Sequence, residues 1–88
     1  MKSFLVESYC ARLDAHTVAT LRRAASGLED ESRGIRHLAS VVLAADEICF
    51  HAFLAPSATV LYDASKRAQL ANERVVEAIW IPADSGGG

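Results

Sequence analysis

Three histidines and two cysteines are the side chains in this chain best suited to metal or proton chemistry, and three of the five fall in two neighbouring stretches. Cys49 and His51 stand two residues apart in the run ICFHAFLA, whose Ile, Phe and Leu content suits a strand. Alternate strand residues point to one face, so the thiol and the imidazole share it. A thiolate beside an imidazole suits zinc, nickel or copper. The short link Ala44-Ala45-Asp46 joins this run to the preceding one as a hairpin. Such a link pairs residues whose numbers sum to about 90, which sets Ala39 opposite His51 and Phe53 opposite His37. The imidazoles of His37 and His51 then become diagonal neighbours.

Two carboxylates join this set if mid-strand residues align: Glu7 near Cys49 on one side and near Glu77 on the other. Adjacent buried carboxylates repel, which raises the pKa of one and makes it an acid or base, or else they hold a cation. The candidate catalytic groups are therefore Glu7, Glu77 and His51, and the candidate metal ligands are His51, Cys49, His37 and Glu7. A slip of one residue in register sends alternate members of the set to the opposite face. A plainer reading stands beside this one: Glu7 and Glu77 pair with Arg36, Arg74 or an arginine of a second subunit, Cys49 is an ordinary buried thiol, and the histidines are satisfied core or interface residues. His16 lies in a first helical turn and is read as solvated. Tyr9, Phe53, Tyr62 and Trp80 line a ligand pocket or are plain core.

The elements that must position these residues follow from pattern. Lys2 to Tyr9, KSFLVESY, has the length and residue types of a strand. Asp14 is an N-cap, Leu13 and Val18 a hydrophobic staple, and Val18, Leu21, Ala25 and Leu28 recur at helical spacing until Gly34 stops the helix. Ile35 to Leu43 and Glu47 to Leu54 form two antiparallel strands. Ser57 caps a second helix carrying Val60, Leu61, Ala64 and Ala68 on one face, and Arg74 to Ile81 makes the last strand. Pro82 ends it. Residues 1–82 form one domain, and 83–88 read as a flexible glycine-rich tail.

The order β-α-β-β-α-β in about 80 residues is the ferredoxin-like split unit, an α+β fold whose antiparallel sheet runs 4-1-3-2 with both helices on one face. The strands are apolar on both parities: Val42 alternates with Val41 and Leu43, and Phe50 with Cys49. A solvated sheet face is not built that way, so a second copy packing sheet on sheet, or a ligand, is expected there.

Composition removes other classes. Nine Lys and Arg against 11 Asp and Glu leave a formal charge of −2, with no positive stripe for nucleic acid or anionic membrane. No apolar run approaches the ~20 residues of a membrane helix. Two cysteines are too few for a disulfide scaffold, the expected register keeps Cys10 and Cys49 apart, and a cytoplasmic chain is read. Phosphate loops, paired CxxC ligands and a nucleophile elbow are absent.

The pieces FLVESY, ICFHAFLAPSA and ERVVEAIWI resemble a family of small ferredoxin-like domains of unknown function that includes a nickel-binding protein, and the pattern covers Ser3 to Ile81. The resemblance implies a dimeric α+β barrel, no organic cofactor and a transition-metal site. Where it implies histidines, this chain has Ala39, Ser65 and Leu70, and its helix-end pattern reads Arg67, Ala68, Gln69, Leu70 and Ala71. The expectation is a homodimeric binding domain holding nickel or zinc, or a small apolar ligand. The alternatives are a cofactor-independent enzyme of the monooxygenase, cyclase or isomerase type and a purely structural module.

Overall fold

The computed structural model describes residues 2–10, 12, 14–68 and 74–84. Four strands and two helices follow in the order β1 (Lys2–Tyr9), α1 (Ala15–Ser26), β2 (Arg36–Leu43), β3 (Ile48–Ala55), α2 (Ala58–Arg67) and β4 (Arg74–Ala78). The sheet is antiparallel, with order β2-β3-β1-β4, so each helix connects strands separated by one other strand. This is the ferredoxin-like arrangement, with the strand order expected from the sequence.

Alternation along β1 buries Phe4, Val6 and Ser8. Their β3 partners Phe53, His51 and Cys49 are buried with them, because directly paired residues share a face. Phe4, Val6, Phe53 and Ala55 pack with Ala25 of α1 and Leu61 of α2, and Leu28 and Ile35 close one end of this core. The opposite face carries Leu5, Glu7, Phe50, Leu54, Val41 and Leu43, half-buried or exposed. Among the described residues, no helix is long and apolar enough to cross a membrane.

The caps follow the sequence. Thr17 N–H donates to the Asp14 carboxylate at 2.8 Å, and Val60 N–H to the Ser57 hydroxyl at 3.2 Å. Leu13, half of the expected staple, lies outside the described residues, as do 85–88 of the expected tail.

Three expectations are corrected. The first helix ends at Ser26 with Gly27 as its C-cap, and Gly34 instead closes a separate 3₁₀ turn at Glu31–Arg33, capped by Asp30. The last strand stops at Ala78 and does not run to Ile81: Ser3 already pairs with Ala78, so the partner strand has almost run out. The β2–β3 register is also not uniform. Ser40, not Ala39, opposes His51, while His37 does oppose Phe53, because a bulge lies between His37 and Ala39.

Candidate functional site

That bulge determines which side chains meet. From Ala39 to Leu43 the ladder places Ser40 opposite His51 and Val42 opposite Cys49. Continued without interruption, it would set Leu38 against Phe53 and turn His37 to the other face. The extra residue restores His37 to the helix-covered side, opposite Phe53, with the two rings 5.1 Å apart and tilted by 40°.

Four side chains then form a continuous chain of contacts. His37 Nε2 lies 3.0 Å from Ser40 Oγ, Ser40 Oγ lies 2.6 Å from His51 Nδ1, and Cys49 Sγ lies 3.5 Å from His51 Nε2. A hydroxyl carries one hydrogen, so at most one imidazole accepts it and the other must offer its own N–H. The tautomers of His37 and His51 are therefore linked through Ser40. Cys49 and His51 are fully buried. Burial, reinforced by nearby His37, lowers the His51 imidazole from 6.5 to about 4. Burial, with a smaller contribution from Cys10, pushes the Cys49 thiol up to about 11. Near neutral pH both groups are uncharged.

The chain borders a cavity of about 390 Å³ between α1 and the β2–β3 hairpin. Val18, Leu21, Arg22 and Ser26 supply the helix side, and His37, Ala39, Ser40, Val42 and Cys49 the sheet side. Its walls are mostly apolar, with His37, Ser40 and Cys49 on the sheet side and Arg22 and Ser26 on the helix side, as in small-molecule sites. Arg22 pairs with no carboxylate among the described residues. The buried Ser8 hydroxyl, opposite Cys49 on β1, likewise has no hydrogen-bond partner there.

The expected five-residue cluster therefore divides. His37, Cys49 and His51 come together, whereas Glu7 does not join them. Glu7 opposes Phe50 and Arg74 on the other sheet face, where its carboxylate accepts from Arg74 Nε at 3.0 Å. Glu77 opposes Phe4 rather than Glu7 and lies 3.8 Å from the Lys2 ammonium, largely in solvent. The expected carboxylate pair does not form. For Glu7 the plainer expectation of pairing with Arg74 describes the arrangement. Among the expected pocket aromatics, Phe53 is buried against His37, while Tyr9, Tyr62 and Trp80 are exposed. His16 is exposed, as expected, and Cys10 and Cys49 are free thiols.

Ser40 is the residue that sequence reasoning missed. Its signal was its place opposite His51, hidden by a register one residue off. Among the described residues, no group of three or more His, Cys, Asp or Glu is arranged to hold a metal. Where the family resemblance implies histidines, Ala39 offers only a methyl group, Ser65 donates its hydroxyl to the Tyr62 carbonyl at 2.8 Å, and Leu70 lies outside the described residues. That implied nickel ligand set does not fit the side chains present.

No family model matches the chain, and no curated protein matches it. Among solved structures, the crystal structure of SCO4226 from Streptomyces coelicolor A3(2) is similar, with a TM-score of 0.73 and 12% sequence identity, over 91% of this chain and 99% of that one. At that identity the likeness is one of fold: a small α+β domain of the ferredoxin-like kind.

Proposed function

We propose that this chain is a homodimeric binding domain whose cavity between α1 and the β2–β3 hairpin takes a small apolar ligand bearing a carboxylate. The observation that carries this reading is the gathering of His37, Ser40 and Cys49 on one wall of an otherwise apolar cavity, facing a helix that contributes Arg22. Val18, Leu21 and Val42 suit an aliphatic or aromatic body, and the guanidinium suits the anionic head. A volume of about 390 Å³ accommodates a ligand of roughly benzoate to indole-acetate size.

A ¹H,¹⁵N NMR titration with benzoate and phenylacetate tests it. Saturable shifts clustered on Val18, Leu21, Ser40 and Val42, weakened about tenfold by Arg22→Ala, are the expected result. Shifts scattered over the surface, or none, would sink it.

The nearness of Cys49 Sγ to the His51 ring, 3.5 Å from Nε2 and 3.9 Å from Nδ1, favours a second reading, in which the two donors turn towards one nickel or zinc ion and a ligand in the cavity completes the shell. Native mass spectra with Ni²⁺ and Zn²⁺ separate the readings. A stoichiometric ion lost in Cys49→Ser supports the metal, and a bare protein that still binds benzoate excludes it.

The second copy in this proposal covers the sheet face opposite the helices. Val41, Leu43 and Tyr9 are exposed on that face, and Ile79, Trp80 and Ile81 are exposed just beyond β4. Apolar side chains so placed suit a self-complementary contact.

A further inference from the structure

His51 is fully buried, and only one of its two ring nitrogens has a hydrogen-bond partner in line with it. That nitrogen is Nδ1, 2.6 Å from Ser40 Oγ. Cys49 Sγ stands 3.5 Å from Nε2 and 3.9 Å from Nδ1, so it lies beside the ring and off the line of an Nε2–H bond. Among the described residues Nε2 has no other partner. A neutral imidazole carries one N–H and one lone pair. Buried N–H groups left without an acceptor are rarer than buried acceptors left without a donor, so the hydrogen of His51 belongs on Nδ1.

That placement sets the direction of the next two bonds. His51 Nδ1–H donates to Ser40 Oγ, and the Ser40 hydroxyl, which reaches no other acceptor among the described residues, donates to His37 Nε2 at 3.0 Å. His37 then carries its own hydrogen on Nδ1. His37 is half-buried and lines the cavity, and no described residue accepts from that Nδ1–H.

We infer that His51, acting through Ser40, fixes His37 as an N–H donor to the cavity, and that the site therefore selects carboxylates with a second acceptor beside the acid group, the 2-oxo acids. This selectivity rests on the cavity reading above and names its ligand class. Arg22 on the facing helix takes the carboxylate, and His37 N–H donates to the keto oxygen. The opposite His37 tautomer would set a lone pair against that oxygen and repel it. His51 is a positioning residue here, since its ring stays buried behind Ser40. Ser40 is the joint because a hydroxyl both accepts and donates at one atom. Alanine breaks the link and frees His37 to hold its hydrogen on either nitrogen, whereas threonine keeps it.

Two measurements test this. Imidazole ¹⁵N shifts of the ligand-free wild type, in mildly alkaline solution, read the tautomers directly. The expected result is a hydrogen on Nδ1 of both His51 and His37, and a hydrogen on Nε2 of either ring overturns the assignment. An NMR titration then compares benzoylformate with phenylacetate, which has a methylene in place of the keto group. Benzoylformate should bind about five-fold tighter or more, the worth of one hydrogen bond. That preference should vanish in Ser40→Ala and return in Ser40→Thr. Equal affinities in the wild type, or a preference that survives Ser40→Ala, overturn the selectivity and leave the cavity reading standing. Binding of neither ligand overturns the cavity reading and the selectivity with it.

Discussion

His51 makes the stability of the fold depend on pH in a direction that can be worked out. Its imidazole is fully buried, and its pKa falls from 6.5 to about 4 because burial disfavours the charged ring. Between those values the unfolded chain binds a proton that the folded chain does not, so stability rises with pH across that window and is lost as pH drops through it. The full shift corresponds to roughly 3 kcal/mol. Cys49 acts at the other end: raised from 9.0 to about 11, its thiol stays neutral in the fold while the unfolded thiol ionises, so stability falls as pH rises through that interval. The cap carboxylates of Asp14 and Asp30 are held below their usual 3.8 by the hydrogen bonds of Thr17 and Ser32, and their contribution fades only in more acid solution. Urea unfolding from pH 4 to 8 should show the acid limb in the wild type and a flatter one in His51→Gln. Equal slopes in the two proteins would refute the assignment to His51.

Among the elements, the two glycines near the end of α1 have opposite roles. Gly34 has φ of 74°, closes the Glu31–Arg33 turn and turns the chain into β2. A side chain there must adopt a left-handed conformation, so Gly34→Ala should lower stability by about 1 kcal/mol or more in denaturant titration. Gly27 has φ of −66°, and an added Cβ would meet the Arg23 and Ala24 carbonyl oxygens at 3.3 and 3.4 Å, so Gly27→Ala should change little. A reversed ranking would contradict the assigned caps. The same residues show how far the sequence could be read. Helical spacing, the Asp14 and Ser57 caps and the strand-like runs located six elements in the right order, since each rests on local chemistry. The apolar spacing carried on past Gly27 through Leu28, a residue buried by tertiary packing rather than by the helix, so the helix end was placed at the wrong glycine. The cluster of Glu7, Glu77, Cys49, His51 and His37 depended on register, which no local signal sets. The bulge beside Leu38 brought His37 back to the face of His51 and put Ser40 where Ala39 was expected. Glu7 stayed on the opposite face because its strand partner is Phe50.

For the whole molecule, the distribution of apolar surface bears on assembly. The helices cover one sheet face, and the other presents Val41 at 56% exposure beside Leu43 and Phe50. The one ion pair described on that face, Glu7 with Arg74, is already formed within the chain, so a partner docking there meets no unmatched charge at that position. Beyond Ala78 the chain leaves the ladder because β1 has nearly ended, and Ile79 and Ile81 stand 84% and 87% exposed with Trp80 between them. A symmetric pair lets this segment of each copy cover the apolar face of the other, so one contact shields both surfaces. Sedimentation equilibrium should therefore find a two-chain species. Val41→Lys, on the edge strand β2 of that face, should weaken it roughly tenfold or more by placing an unpaired ammonium in the contact. Ending the chain after Ala78 should weaken it as well, while a benzoate titration of the cavity, formed by α1, β2 and β3 on the opposite face, should give the same result with and without residues 79–88. A wild-type protein that sediments as a single chain at high micromolar concentration would show that the exposed face serves something other than a second copy.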